Sequence, residues 1–168
     1  MILTPHAIVG AALTNMFPNE PILGFSLAFI SHYVLDFLPH IDYDVKHFLH
    51  KEPKTIKSIF IDAKARFHFL LIVLDFSIAL ILCVMFFVRN EKNLFLTALG
   101  ILGGLLPDFF QFLYHKNKKQ PWVFLQKIHD KIHHLLDYKK NGFLGLLLEL
   151  VIPALFLVIY YFVKNNLF

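Results

Sequence analysis

Cysteine is almost missing from this chain. Cys83 is the single thiol among 168 residues, which excludes an internal disulfide, and its place inside an apolar run points to packing and not to redox chemistry. Charge is scarce as well. Asp, Glu, Lys and Arg make up 17% of the sequence, against about 25% in typical soluble domains. The compact catalytic signatures are absent too: there is no HExxH, no serine nucleophile elbow and no Cys/His pair. Any chemistry must therefore be assembled from residues far apart in the chain. The start, MILTPHAIVG, has no basic stretch and carries Pro5 and His6, so the N-terminus is expected to be retained and not cleaved as a signal peptide.

What is present is hydrocarbon. Hydrophobic residues reach 57%, with 20 phenylalanines, a composition that argues against an ordinary soluble helical domain. The run at 69–88, FLLIVLDFSIALILCVMFFV, contains one acid, Asp75, and lies between Arg66 and Arg89. At about 1.5 Å per residue such a run crosses a bilayer core of roughly 30 Å. A second run at 143–163 carries Glu149 and Pro153, a kink that membrane helices tolerate. Residues 94–114 form a third candidate span, and 21–38 a weaker fourth. Glu149 reads either as a pairing group within the bundle or as part of a transport path.

The predicted architecture is all-α: a compact polytopic membrane bundle of about six helices in one domain, 1–168. The helices are expected near 5–16, 21–37, 56–88, 94–114, 122–138 and 142–163. The first is too short to span and is expected to pack within the bundle or re-enter from the surface; the fifth is amphipathic and interfacial. Lys46, Lys51, Lys54, Lys57, Lys64 and Arg66 precede the first strong span, and further lysines from Lys116 to Lys140 precede the last. By the positive-inside rule both basic segments are expected on the cytoplasmic side of an inner membrane. A sequence pI near 9.1 also permits nucleic-acid binding, but the lysines flank apolar spans and no reading helix or aromatic platform accompanies them. Membrane lipids are the expected partners, nucleic acid is not, and oligomeric state is not legible.

The ionisable residues cluster once this topology is drawn. In SHYVLDFLPHIDYD, His32 and Asp36 lie four apart on one helical face. Pro39 then redirects the chain, carrying His40, Asp42 and Asp44 onward. Asp108 follows Pro107 near the same end of its span, and HDKIHH offers His129 and His133, again four apart, beside His134. His6, His68 and Asp75 return to this depth as well. His47, His50 and His115 sit among lysines and read as solvated groups. Acids inside hydrocarbon need partners, protonation or water. A divalent cation offsets several of them together, and imidazole plus carboxylate suits zinc first, with manganese or iron as alternatives and two ions conceivable. The predicted metal ligands are His6, His32, Asp36, His68, Asp108, His129 and His133, with Asp75 or Asp42 as the catalytic proton acceptor.

Four motifs carry a resemblance: TPHAIVGAA, SHYVLDFLPHID, LGGLLPDFF and HDKIHH. Together they resemble the membrane-bound metal-dependent hydrolases of bacterial inner membranes. The family's T-H-x-x-x-G corresponds to Thr4, His6 and Gly10, here with Pro5 interposed. Its P-D corresponds to Pro107 and Asp108, and its paired histidines to His129 and His133, with Asp130 where a basic residue is usual. Ser31, His32 and Asp36 correspond to its S-H-x-x-x-D, which here precedes the P-D element. The resemblance implies a metal-dependent hydrolase; the membrane setting and the lysine fringe suggest an amphiphilic lipid substrate, phosphate-containing or not. The same intramembrane acids also suit an ion- or proton-coupled transporter component, and a non-catalytic scaffold in which the polar cluster fixes helix register remains a third reading.

Overall fold

A computed structural model describes residues 2–41, 63–134 and 142–167. Within them run six helices: α1 (Leu3–Met16), α2 (Pro21–Phe37), α3 (Ala63–Phe87), α4 (Glu91–Lys116), α5 (Trp122–His134) and α6 (Gly142–Leu167). The expected continuations at 56–62 and 135–138 lie outside the described residues.

Proline and asparagine set several boundaries. α2 opens on Pro21, whose missing N–H would have had no helical partner there. It stops at Phe37 because Leu38 precedes Pro39 and is driven to an extended conformation, φ −80° and ψ 157°. α4 begins three residues before the hydropathy run suggests. The Asn90 side chain accepts from the Asn93 N–H at 2.9 Å, Glu91 occupies the first turn, and His115 and Lys116 occupy the last, where their charges suit the helix dipole.

Arg66–Phe87, Glu91–Lys116 and Gly142–Asn166 are long and apolar enough to cross a membrane. Their outward residues are greasy, as Phe143 at 79% and Phe162 at 68% exposure illustrate, which is consistent with a multi-pass arrangement facing lipid. α2, with 17 residues, is a shorter apolar helix.

α1 takes the opposite position, at the centre. Every residue from Pro5 to Ala12 is buried, as expected for a helix with no polar face. Of the two placements the sequence allowed for it, packing within the bundle is the one found. It touches α2, α3, α4 and α6. Small residues permit this. A methyl group on Gly100 would stand 2.3 Å from the Gly10 carbonyl oxygen, and one on Gly104 would stand 2.4 Å from that of His6, so the backbones of α1 and α4 are in direct contact. These pairings make α1 and α4 antiparallel. The His6–His32 ring stack and the Gly24–Thr14 contact do the same for α1 and α2. By contrast, α3 and α6 run alongside α1: Asp75 and Glu149 meet its start, while Phe87 and Tyr160 meet edge to face in the cluster beyond. Cys83 lies buried in that same cluster, a packing thiol.

The two ends of the bundle differ in chemistry. At one, Asn15 donates to the Thr97 hydroxyl at 3.0 Å and accepts from the Asn93 side chain at 3.2 Å, tying α1 to α4. At the other end the first turns of α1 meet the last turns of α2 and the His/Asp residues gather.

Candidate metal centre

Four helices contribute to this end: α1 brings His6, α2 brings His32 and Asp36, α4 brings Asp108 and α5 brings His129. Helix direction brings these distant residues together. α2 and α4 both run toward this end, α1 departs from it, and α5 crosses beside α2 and α4. His6, His32, Asp36 and His129 are buried, and the Asp108 side chain keeps 28% of its exposure.

Asp36 is the hub. Its Oδ2 lies 2.9 Å from His32 Nε2 and 3.7 Å from His129 Nε2, while its Oδ1 lies 3.3 Å from His6 Nε2. Asp108 Oδ1 lies 3.7 Å from His32 Nε2. Two groupings, His6/His32/Asp36 and His32/Asp108/His129, have ligand atoms all within 4.8 Å of one another. These are two His/Asp clusters able to chelate a divalent ion.

The orientation of His32 fits that use. Its Nδ1 stands 2.7 Å from the Gly104 carbonyl oxygen. A carbonyl only accepts, so Nδ1 carries the proton and donates it. For a neutral ring Nε2 then presents its lone pair toward two carboxylates, 2.9 Å from Asp36 and 3.7 Å from Asp108. Either a proton or a metal cation between these atoms would satisfy the arrangement. Metal-ligating histidines commonly have their second nitrogen held by a carbonyl in this way. The Gly104 carbonyl is within reach because α4 has no side chain there and lies against α1. Pro107, buried one turn on, has no N–H to give the Gly103 carbonyl.

No family model, curated protein or solved structure matches this chain. The site is therefore described by its own geometry. Among the residues singled out in the sequence, His6, His32, Asp36, Asp108 and His129 come together. Asp75 and His68 belong to neither grouping among the described residues. The Asp75 carboxylate instead holds the start of α1, with Oδ2 accepting from the Leu3 N–H at 2.6 Å and Oδ1 accepting from the Thr4 hydroxyl. His68 is partly buried with its ring edge-on to Phe67. Asp42 lies outside the described residues, as does the His133 side chain. His40 donates from Nδ1 to the Leu38 carbonyl at 2.6 Å, and its backbone lies against Gly145.

Two further contributors, the Gly104 carbonyl and Tyr33, were not legible in the sequence, whereas Glu149 was expected either to pair within the bundle or to mark a transport path. Glu149 accepts from the Ile41 N–H at 3.0 Å and from the Ile2 backbone, so it joins the start of α1 to the segment after α2. The Gly104 carbonyl orients His32, although only the small residues around it could be noted in advance. The Tyr33 ring packs edge-on against both His32 and His129, with centroids at 5.5 and 6.1 Å. A tyrosine next to a site histidine carries no spacing signal.

Proposed function

We propose that the protein is a membrane-embedded, metal-dependent hydrolase acting on an amphiphilic, phosphate-containing lipid. The observation that carries the reading is the convergence of three imidazoles and two carboxylates, from four helices, at one end of an otherwise apolar bundle. Such a group is costly beside hydrocarbon unless a cation joins its members. Zinc suits the mixed nitrogen and oxygen donors, and manganese or iron suits them too. When bound, the ion would supply Lewis acidity toward water and toward the scissile group.

The chain's own residues do the rest. His32 and His129 offer imidazole donors, and Asp36 fixes them by standing between them. Asp108 keeps partial exposure and lines the side from which water and a headgroup can enter. Asp75 is occupied by α1, so the proton acceptor is assigned to Asp42, which follows Asp36 closely in the chain. Lysines beyond the ends of the spans attract an anionic headgroup. The whole chain, 1–168, acts as one unit in an inner membrane, with the basic segments cytoplasmic. The motif resemblance to membrane-bound metal-dependent hydrolases supports the same reading.

Transport through the same acids is the rival. Asp75 and Glu149 bear against it, since Asp75 accepts from the Leu3 N–H and Glu149 from the Ile2 backbone at the start of α1, and Glu149 also from the Ile41 N–H, so both already have a role that needs no permeation path. Elemental analysis of protein purified in mild detergent without chelator is the test. A stoichiometric transition metal is expected, lost in Asp36→Ala, together with phosphate or headgroup release from mixed lipid vesicles. Metal-free wild-type protein, folded by circular dichroism, would overturn the proposal.

A further inference from the structure

We infer that the two overlapping His/Asp groupings form a single one-ion site, in which His6 positions Asp36 and is not itself a ligand. The inference rests on the metal reading above and fixes how many ions it involves and which imidazoles hold them.

The count follows from His32, which both groupings share. With Nδ1 committed to the Gly104 carbonyl, the ring has one lone pair left, on Nε2. One lone pair serves one ion. An ion on the His6 side would take that lone pair from the other grouping, or make do with His6 and one oxygen of Asp36 among the described residues. Two protein donors fall short of the three that hold catalytic zinc. On the other side, Asp36 Oδ2, His32 Nε2, His129 Nε2 and Asp108 Oδ1 are linked by separations of 2.9, 3.7 and 3.7 Å. Donors bonded at about 2.1 Å in a tetrahedral centre stand roughly 3.4 Å apart. These three of the six donor–donor edges bracket that value, and two of them join Asp36 Oδ2 to the His32/Asp108/His129 grouping.

The role of His6 follows from its protons. Its Nδ1 is buried and has no hydrogen-bond partner. Were His6 a ligand through Nε2, its proton would sit on Nδ1, an N–H sealed away from any acceptor, which folded proteins rarely tolerate. With the proton on Nε2 the ring instead sets that N–H beside Asp36 Oδ1, 3.3 Å away in an ion-pair contact looser than a hydrogen bond, and Nδ1 buries only a lone pair. His6 is also stacked on His32, with centroids 4.1 Å apart and planes at 24°, and its own carbonyl oxygen abuts Gly104. It therefore fixes the second oxygen of Asp36 and the face of the His32 ring together. Ligand-orienting partners of this kind commonly contribute 10–100-fold in metal affinity.

The test loads purified protein with Co²⁺, then measures stoichiometry, visible absorption bands and the imidazole count by X-ray absorption. Gln places an amide N–H close to the position of His Nε2, so His6→Gln preserves the donor. The expected results are one Co²⁺ per chain, unchanged bands and imidazole count in His6→Gln, and affinity about 10–100-fold weaker in His6→Ala. His129→Gln is expected to move the bands. Two ions per chain, or an imidazole count that falls by one in His6→Gln, would overturn the inference. If His6→Gln does not fold, the wild-type stoichiometry still decides the one-ion claim. Failure of the wild type to bind any Co²⁺ sinks the metal reading itself, a distinct result.

Discussion

Two acids placed in apolar spans, Asp75 and Glu149, accept hydrogen bonds from backbone N–H groups. The first N–H groups of any helix have no partner within it, and for α1, enclosed by other helices, water is not at hand to supply one. Asp75 from α3 and Glu149 from α6 do so. Asp75→Ala is expected to lower stability by about 1–3 kcal/mol, the cost of stranding buried donors. Asp75→Asn, which keeps an acceptor oxygen, should lose less. Thermal unfolding in detergent measures both, and metal content per folded chain is expected to hold in each. In sequence these acids were visible but their purpose was not. An acid in a greasy run looks the same whether it caps a neighbouring helix or accepts a catalytic proton, because its partner lies some 70 or more residues away. His32 and Asp36, by contrast, were legible because both lie on one helix face and spacing alone brings them together.

Helix contacts at the scale of whole elements depend on where side chains are missing. Gly10 and Gly100 let α1 and α4 touch backbone to backbone, so Gly100→Ala forces a methyl group against the Gly10 carbonyl and the Thr14 hydroxyl. Neither neighbour is a flexible side-chain end that can swing fully clear. The helices must separate, and a loss of about 1–3 kcal/mol is expected from overpacking. Metal affinity should fall too, since the same contact line carries His6 and Gly104. Gly142→Ala is the matched control: nothing lies within 4 Å of its added methyl, and unchanged or slightly higher thermal stability is expected. Helix number and order were readable from apolar periodicity and proline placement. The start of α4 was not, because Asn90, Glu91 and Asn93 look like a polar turn until the Asn90 cap is seen.

For the molecule as a whole, three long apolar helices and a sheath of exposed Phe, Leu and Ile are consistent with lipid on the outer surface. Extraction should require detergent, with the chain remaining in the membrane pellet after alkaline carbonate. The positive-inside argument adds an orientation. Because Cys83 is buried, new cysteines can report on sidedness. Asn90→Cys is expected to react with an impermeant maleimide added to intact cells, and Lys118→Cys only after the cells are opened. The reverse pattern would invert the proposed topology and put the candidate site on the outer face.

The central position of α1 also bears on how the molecule is made. Its first residues are bonded to Glu149 in α6 as well as to α3, so a helix made before the other five is enclosed only when the last of them is in place. Contacts of such long sequence separation are slow to form. Until α6 arrives, the nascent bundle holds an incompletely wrapped polar helix start inside the bilayer. A chaperone or insertase that shelters that start during biogenesis would act on this vulnerable interval, and a chain cut short before α6 should be prone to degradation.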